Sequence, residues 1–154
     1  FAVKAPARAV TAAARTKFEC DAEFMASGVR GFQLSEEAAI WEIPCQRYAF
    51  QSSAVYALVY LPDPASQFQF LPFQDPKGRK RTALPGTLID PQWDVARRTV
   101  TSVGLGRGAG DCDVLERHRV GADGSFTLIE YREKPNCDGR QIKPEDFPLV
   151  YRAQ

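Results

Sequence analysis

Sulfur, imidazole and clustered carboxylate groups set the range of chemistry open to this chain. Four cysteines stand in polar or turn-rich surroundings, Cys20 and Cys45 separated by 25 residues and Cys112 and Cys137 by the same interval. Such spacing in a short chain fits two disulfides better than buried thiols. Four cysteines allow three pairings, and Cys20 with Cys45 and Cys112 with Cys137 is favoured because each bridge then closes one local loop of neighbouring strands. A loop of this size is worth about 3.5 kcal/mol on chain-entropy grounds. A zinc site is the weaker reading, since no Cys-x-x-Cys spacing occurs and His118 is the lone histidine. Disulfides imply an oxidising compartment.

The same inventory leaves little for catalysis. Any triad must use His118, which stands among Glu116, Arg117 and Arg119 on what reads as an exposed strand face. Adjacent carboxylates, Glu36 with Glu37 and Glu145 with Asp146, point to opposite faces of a strand and read as solvated charges. Asp111, Asp113 and Asp138 flank the second cysteine pair and with backbone carbonyls would suit Ca²⁺, although turn-forming aspartate is the commoner role. The string Gly104-Leu-Gly106-Arg-Gly108-Ala109 meets the relaxed dinucleotide fingerprint, but no helix pattern and no βαβ unit surrounds it. No catalytic residue, metal or cofactor is assigned.

Charge is segregated along the chain. The net +1 divides into +4 over residues 1–17, −6 over 18–75, +5 over 76–110 and −2 over 111–154. A near-neutral total argues against nucleic acid as the main partner, and no apolar run approaches a membrane span. The loop Asp75-Pro-Lys-Gly-Arg-Lys-Arg-Thr82 concentrates Lys77, Arg79, Lys80 and Arg81, and Arg107 lies among the glycines. The sharp reading of the loop's four basic residues is a site for phosphate, sulfate or an acidic protein surface, and the plain one a solvated hairpin tip; Arg107 joins them as a candidate binding residue.

The elements that must position these groups are mostly strands. A chain of 154 residues with 44% hydrophobic and 25% charged composition is long enough for one domain with a real core. Residues 1–17 are Ala-rich, basic and free of acids, and read as an extended, processed or truncated start; a short helix over Val10 to Arg15 is the lesser option, and a basic arm that orders on an acidic partner the functional one. Residues 18–154 read as a single β domain. Phe18 to Met25 is predicted as a first strand and Gly31 to Leu34 as a second, with Ala39 to Cys45 a strand stopped by Pro44. Ala54 to Leu61, apolar at every position, is predicted at the centre of a sheet.

Phe68, Phe70, Leu71 and Phe73 are expected to pack their rings on the core, and Leu84 to Asp94 carries three turn signals. Val95 to Val103 resumes the β pattern and runs into a corner built on Gly104, Gly106, Gly108 and Gly110. Val114 to Val120 and Ser125 to Arg132, joined by Gly121-Ala-Asp-Gly124, form a hairpin whose outer ends a Cys112–Cys137 bridge would tie. Phe147 to Arg152 is the last strand. The class is mainly antiparallel β, a sandwich or barrel with two disulfides.

Trp41-Glu-Ile-Pro-Cys45, the run from Val100 into Gly106-Arg-Gly-Ala-Gly-Asp-Cys112, Phe126-Thr-Leu and Asn136-Cys-Asp-Gly139 together resemble the bacterial exported proteins grouped as domain of unknown function family 1176. The resemblance covers about residues 30 to 154 and implies an exported protein of a family whose members are typically longer. Where relatives tend to carry Gly-Ala-Tyr after the cysteine matching Cys45, this chain has Gln46-Arg47-Tyr48-Ala49. The resemblance implies a compartment and no activity.

The leading functional expectation is a non-catalytic periplasmic binding module that docks as an accessory subunit on a protein partner, since segregated charge suits electrostatic docking. A lysozyme-inhibitor-like protein, with Ser52-Ser-Ala-Val-Tyr56 a distant echo of the inhibitor motif, and an enzyme of unrecognised type using His118 or the aspartates are the alternatives.

Overall fold

The computed structural model describes residues 2–4, 7–61, 63–64, 67–77, 86–105 and 110–154. Strand β1 (Ala2–Lys4) is followed by helices α1 (Arg8–Phe18) and α2 (Ala22–Met25). Then come β2 (Val29–Gln33), β3 (Ala38–Arg47), β4 (Ser52–Tyr60), β5 (Phe68–Phe70), β6 (Thr87–Ile89) and β7 (Gln92–Asp94). The second half holds β8 (Thr99–Leu105), β9 (Asp113–Val120), β10 (Phe126–Lys134), a 3-10 turn (Pro144–Asp146) and β11 (Leu149–Arg152).

Two antiparallel sheets result. The first runs β1-β2-β3-β4-β5 with β6 also paired to β4, and the second runs β11-β10-β9-β8-β7. The protein is mainly β and is two sheets rather than a closed barrel. Both disulfides form as expected, Cys20–Cys45 and Cys112–Cys137.

β4 shows why its sequence is apolar throughout. Val55, Ala57 and Val59 face one core with Val10 and Ala14 of α1, while Ala54, Tyr56 and Leu58 face a second core with Val100 and Val120 of the other sheet. The helices therefore cover one face of the first sheet and the second sheet covers the other. At about 25 cal/mol per Å² of apolar surface, a strand buried on both faces is among the strongest contributors to such a stack. A tight turn from Gly121 to Ser125 presses onto this strand: Gly124 has φ +84°, and a Cβ there would stand 2.8 Å from Leu58 Cδ1.

Side chains finish the join between the sheets where ladders stop. The Ser102 hydroxyl accepts from Ile89 N–H and donates to Ile89 C=O, each at 2.8 Å, linking β8 to β6. Gln51 does the same for the edge of β8, its Nε2 donating to Val103 O at 2.7 Å and its Oε1 accepting from Leu105 N at 2.9 Å.

Several expectations need correction. Residues 8–18 are helical rather than an extended or free arm, with Val10 and Ala14 fully buried. Phe18 to Met25 is not a strand: Phe18 ends α1, and Asp21 caps α2 by accepting from Phe24 N at 2.8 Å. Cys20 lies between the two helices, where it meets Cys45 of β3 in the first bridge. Pro44 does not stop β3, which runs to Arg47; the β2–β3 ladder already ends at Glu42, so the missing N–H of Pro44 costs no bond on that side. The turn-rich span Leu84 to Asp94 contains two short strands, β6 and β7. Gly106 and Gly108 of the glycine corner lie outside the described residues.

Candidate binding face on the second sheet

Alternation along β9 divides its side chains cleanly. Glu116, His118 and Val120 point into the space between the sheets and are buried, whereas Arg117 and Arg119 emerge on the outer face. Their cross-strand neighbours on β8 are Thr101 opposite Arg117 and Thr99 opposite Arg119. Together with Arg97 and Asp94 they line a concave basin of about 690 Å³.

The three arginines are held differently. Arg97 Nη1 donates to Asp94 Oδ2 at 2.7 Å, and that hydrogen bond holds the Asp94 carboxyl below the usual carboxylate range. Arg117 is fixed by Thr101 Oγ1 at 2.9 Å and Glu130 Oε1 at 3.3 Å. Arg119 is exposed and has no charged or hydrogen-bonding partner among the described residues. Beside the basin, Glu130 also meets Arg132 Nε at 2.9 Å and Arg152 Nη2 at 3.5 Å. Burial pushes the Glu130 carboxyl up, but the Arg132 hydrogen bond and the charges of Arg117, Arg132 and Arg152 outweigh it and leave it below its usual value. The face is thus rich in guanidinium donors and threonine hydroxyls, a chemistry suited to carboxylate, sulfate or phosphate groups.

The residues singled out from sequence fall elsewhere. Lys77 is exposed at a turn, its N–H donating to Asp75 Oδ1 at 2.9 Å, and it does not line the basin. Arg79, Lys80, Arg81 and Arg107 lie outside the described residues. His118 is 1% exposed rather than on an open face: Nε2 lies 3.3 Å from Glu116 Oε1, and its ring meets those of Phe73 and Phe126. Ser53 to Tyr56 are buried in β4, so that stretch offers no protruding loop.

Around the second bridge the cation is already supplied by the chain. Lys134 Nζ donates to Asp138 Oδ1 at 2.7 Å, to Asn136 O at 3.0 Å and to Asp111 O. The buried Asp111 carboxylate accepts from Gly139 N at 2.7 Å, which closes the turn. Sulfurs of Cys112 and Cys137 near Asp111 are bonded to each other, so neither is a thiolate that could ligate a metal.

A further buried carboxylate has no counterpart in the sequence reading. Glu42 of β3, 6% exposed, receives Arg30 from β2, Tyr56 Oη at 2.6 Å from β4 and Trp93 Nε1 at 2.6 Å from β7. Burial, followed by the Glu42 charge and hydrogen bond, raises the Tyr56 hydroxyl well above its ordinary value. Nothing local marks Glu42, whereas Arg117 and Arg119 are visible as alternating charges on a strand opposite two alternating threonines.

A family model described as Protein of unknown function (DUF1176) matches residues 4–154, essentially the whole chain. The chain belongs to the DUF1176 family. No curated protein and no solved structure matches it. In this DUF1176 chain Gln46 and Arg47 end β3 and Tyr48 opens the turn into β4, where Tyr48 N donates to Gln51 O at 2.7 Å and the rings of Tyr48 and Phe50 stand exposed. No helix among the described residues is long and apolar enough to cross a membrane.

Proposed function

We propose that the chain is a non-catalytic, extracytoplasmic accessory module that docks on an acidic protein surface through the outer face of its second sheet. The observation that carries this reading is Arg119, an exposed guanidinium without a partner among the described residues, in a basin it shares with Arg97 and Arg117. Rim arginines of this kind steer association and select complementary charge. Support for the compartment comes from the two bridges, since disulfides persist where thiols are not kept reduced, and export to the periplasm accords with the family resemblance.

Pull-down from a periplasmic extract of the native organism, with the full chain as bait, tests the reading. The wild type should retain one stoichiometric acidic partner, with affinity falling as salt rises, and Arg119→Glu should lose it. Equal retention of that partner by Arg119→Glu would overturn the assignment of this face.

A further inference from the structure

We propose that the partner presents an extended segment with acidic side chains at every second position, laid along β9. This rests on the docking face described above and specifies what occupies it. Arg117 and Arg119 are two residues apart on one strand, so their Cα atoms repeat at about 7 Å on the same face. An extended peptide repeats its own same-side residues at the same interval, so one carboxylate can take the fork of Arg119 while the next reaches Nη2 of Arg117, whose Nε and Nη1 are held by Thr101 and Glu130.

The surroundings favour a strand over a helix. Arg117 is held in place by Thr101 and Glu130, so it needs little ordering on binding. Threonines line both sides of the arginine pair, Thr99 and Thr101 on β8 and Thr127 opposite Arg119 on β10. An extended segment keeps backbone N–H and C=O groups that such hydroxyls can satisfy. A helix has already used its backbone groups and could offer these hydroxyls only its side chains.

Fluorescence anisotropy on the full chain at low salt, using three labelled peptides of equal charge, decides the matter. One alternates glutamate with threonine, one carries the same residues with the glutamates contiguous, and one is a helix with glutamates four apart. The alternating peptide should bind about tenfold tighter than the other two, and Arg119→Glu should remove that preference while the exposed position leaves the fold intact. Arg119→Lys should keep the charge but weaken binding, because an ammonium cannot form the bidentate pair. Equal binding of the alternating and contiguous peptides, or tighter binding of the helix, overturns the strand register and leaves the docking face standing. Failure of every peptide, with the pull-down partner still lost in Arg119→Glu, overturns the inference alone; tighter binding of heparin than of any peptide replaces the acidic protein with a polyanion.

Discussion

Trp93 and Glu42 belong to different sheets, and the indole N–H of the first donates to a carboxylate oxygen of the second across 2.6 Å. Glu42 also gathers Arg30 and Tyr56, so one buried carboxylate joins β2, β3, β4 and β7. Hydrogen bonds to a charged acceptor contribute about 1.5–3 kcal/mol each, and an acceptor removed from buried donors leaves them unsatisfied. Glu42→Gln should therefore lower stability by about 2 kcal/mol or more in urea unfolding. A change below about 0.5 kcal/mol would mean that the sheets are held together without this carboxylate.

Tyr56 makes the same cluster sensitive to alkali. Its folded value lies well above 10.0, so the unfolded chain ionises first as pH rises. The neutral hydroxyl's contribution is complete below pH 10.0 and is lost as pH climbs toward the raised folded value. Thermal unfolding followed from pH 8 upward should show a decline that begins near the ordinary tyrosine value and is shallower in Tyr56→Phe.

Acid acts through a different group. Glu130 has a folded value below 4.5, so its contribution is in place above 4.5 and drains away as pH falls through the lower folded value. Glu130→Gln should flatten the acid limb of a stability-versus-pH curve. An unchanged limb would show that Arg117, Arg132 and Arg152 do not stabilise the carboxylate in the folded chain.

Each disulfide encloses a loop with the same sequence separation of 25. Entropy alone would make them equal, at about 3.5 kcal/mol apiece. Their surroundings differ: Cys20 and Cys45 are both buried and tie the helices to β3, whereas Cys137 is exposed. Replacing Cys20 and Cys45 by serine together should cost more in urea unfolding than replacing Cys112 and Cys137, because buried hydroxyls add to the lost constraint.

Gly124 gives a backbone test. Alanine there meets both the positive φ and the side chain of Leu58, so Gly124→Ala should destabilise by more than about 1 kcal/mol. Gly139, whose φ is +80° and whose absent Cβ would have nothing within 4 Å, isolates the conformational part of the cost. Gly124→Ala should be the more damaging of the two alanine substitutions in thermal unfolding.

How much of this was legible depended on the range of the forces involved. The β9–β10 hairpin, its aspartate–glycine turn and the bridge across its ends were readable because all their determinants are local. β4 was readable because two-sided burial leaves an unbroken apolar run. Helix α1 was missed because its packing stripe is Ala7, Val10, Ala14 and Phe18, and alanines facing a core resemble alanines facing water. High helix propensity was the signal at hand. β6 and β7 hid among turn residues, each only three residues long, β6 held by the distant β4 and β7 by the adjoining β8. In the candidate site, the paired arginines could be read from alternation, but that Arg117 is restrained depends on Thr101 and Glu130, which only folding brings beside it.

Because each covalent bridge lies within one half of the molecule, no sulfur link spans the gap between the sheets. Under tension applied to its two ends, force enters through β1 and β11, the outermost strands of the two sheets, and each bridge shields the residues it encloses. The bridged loops would stay folded over themselves as short, inextensible knots, limiting how far the chain can lengthen.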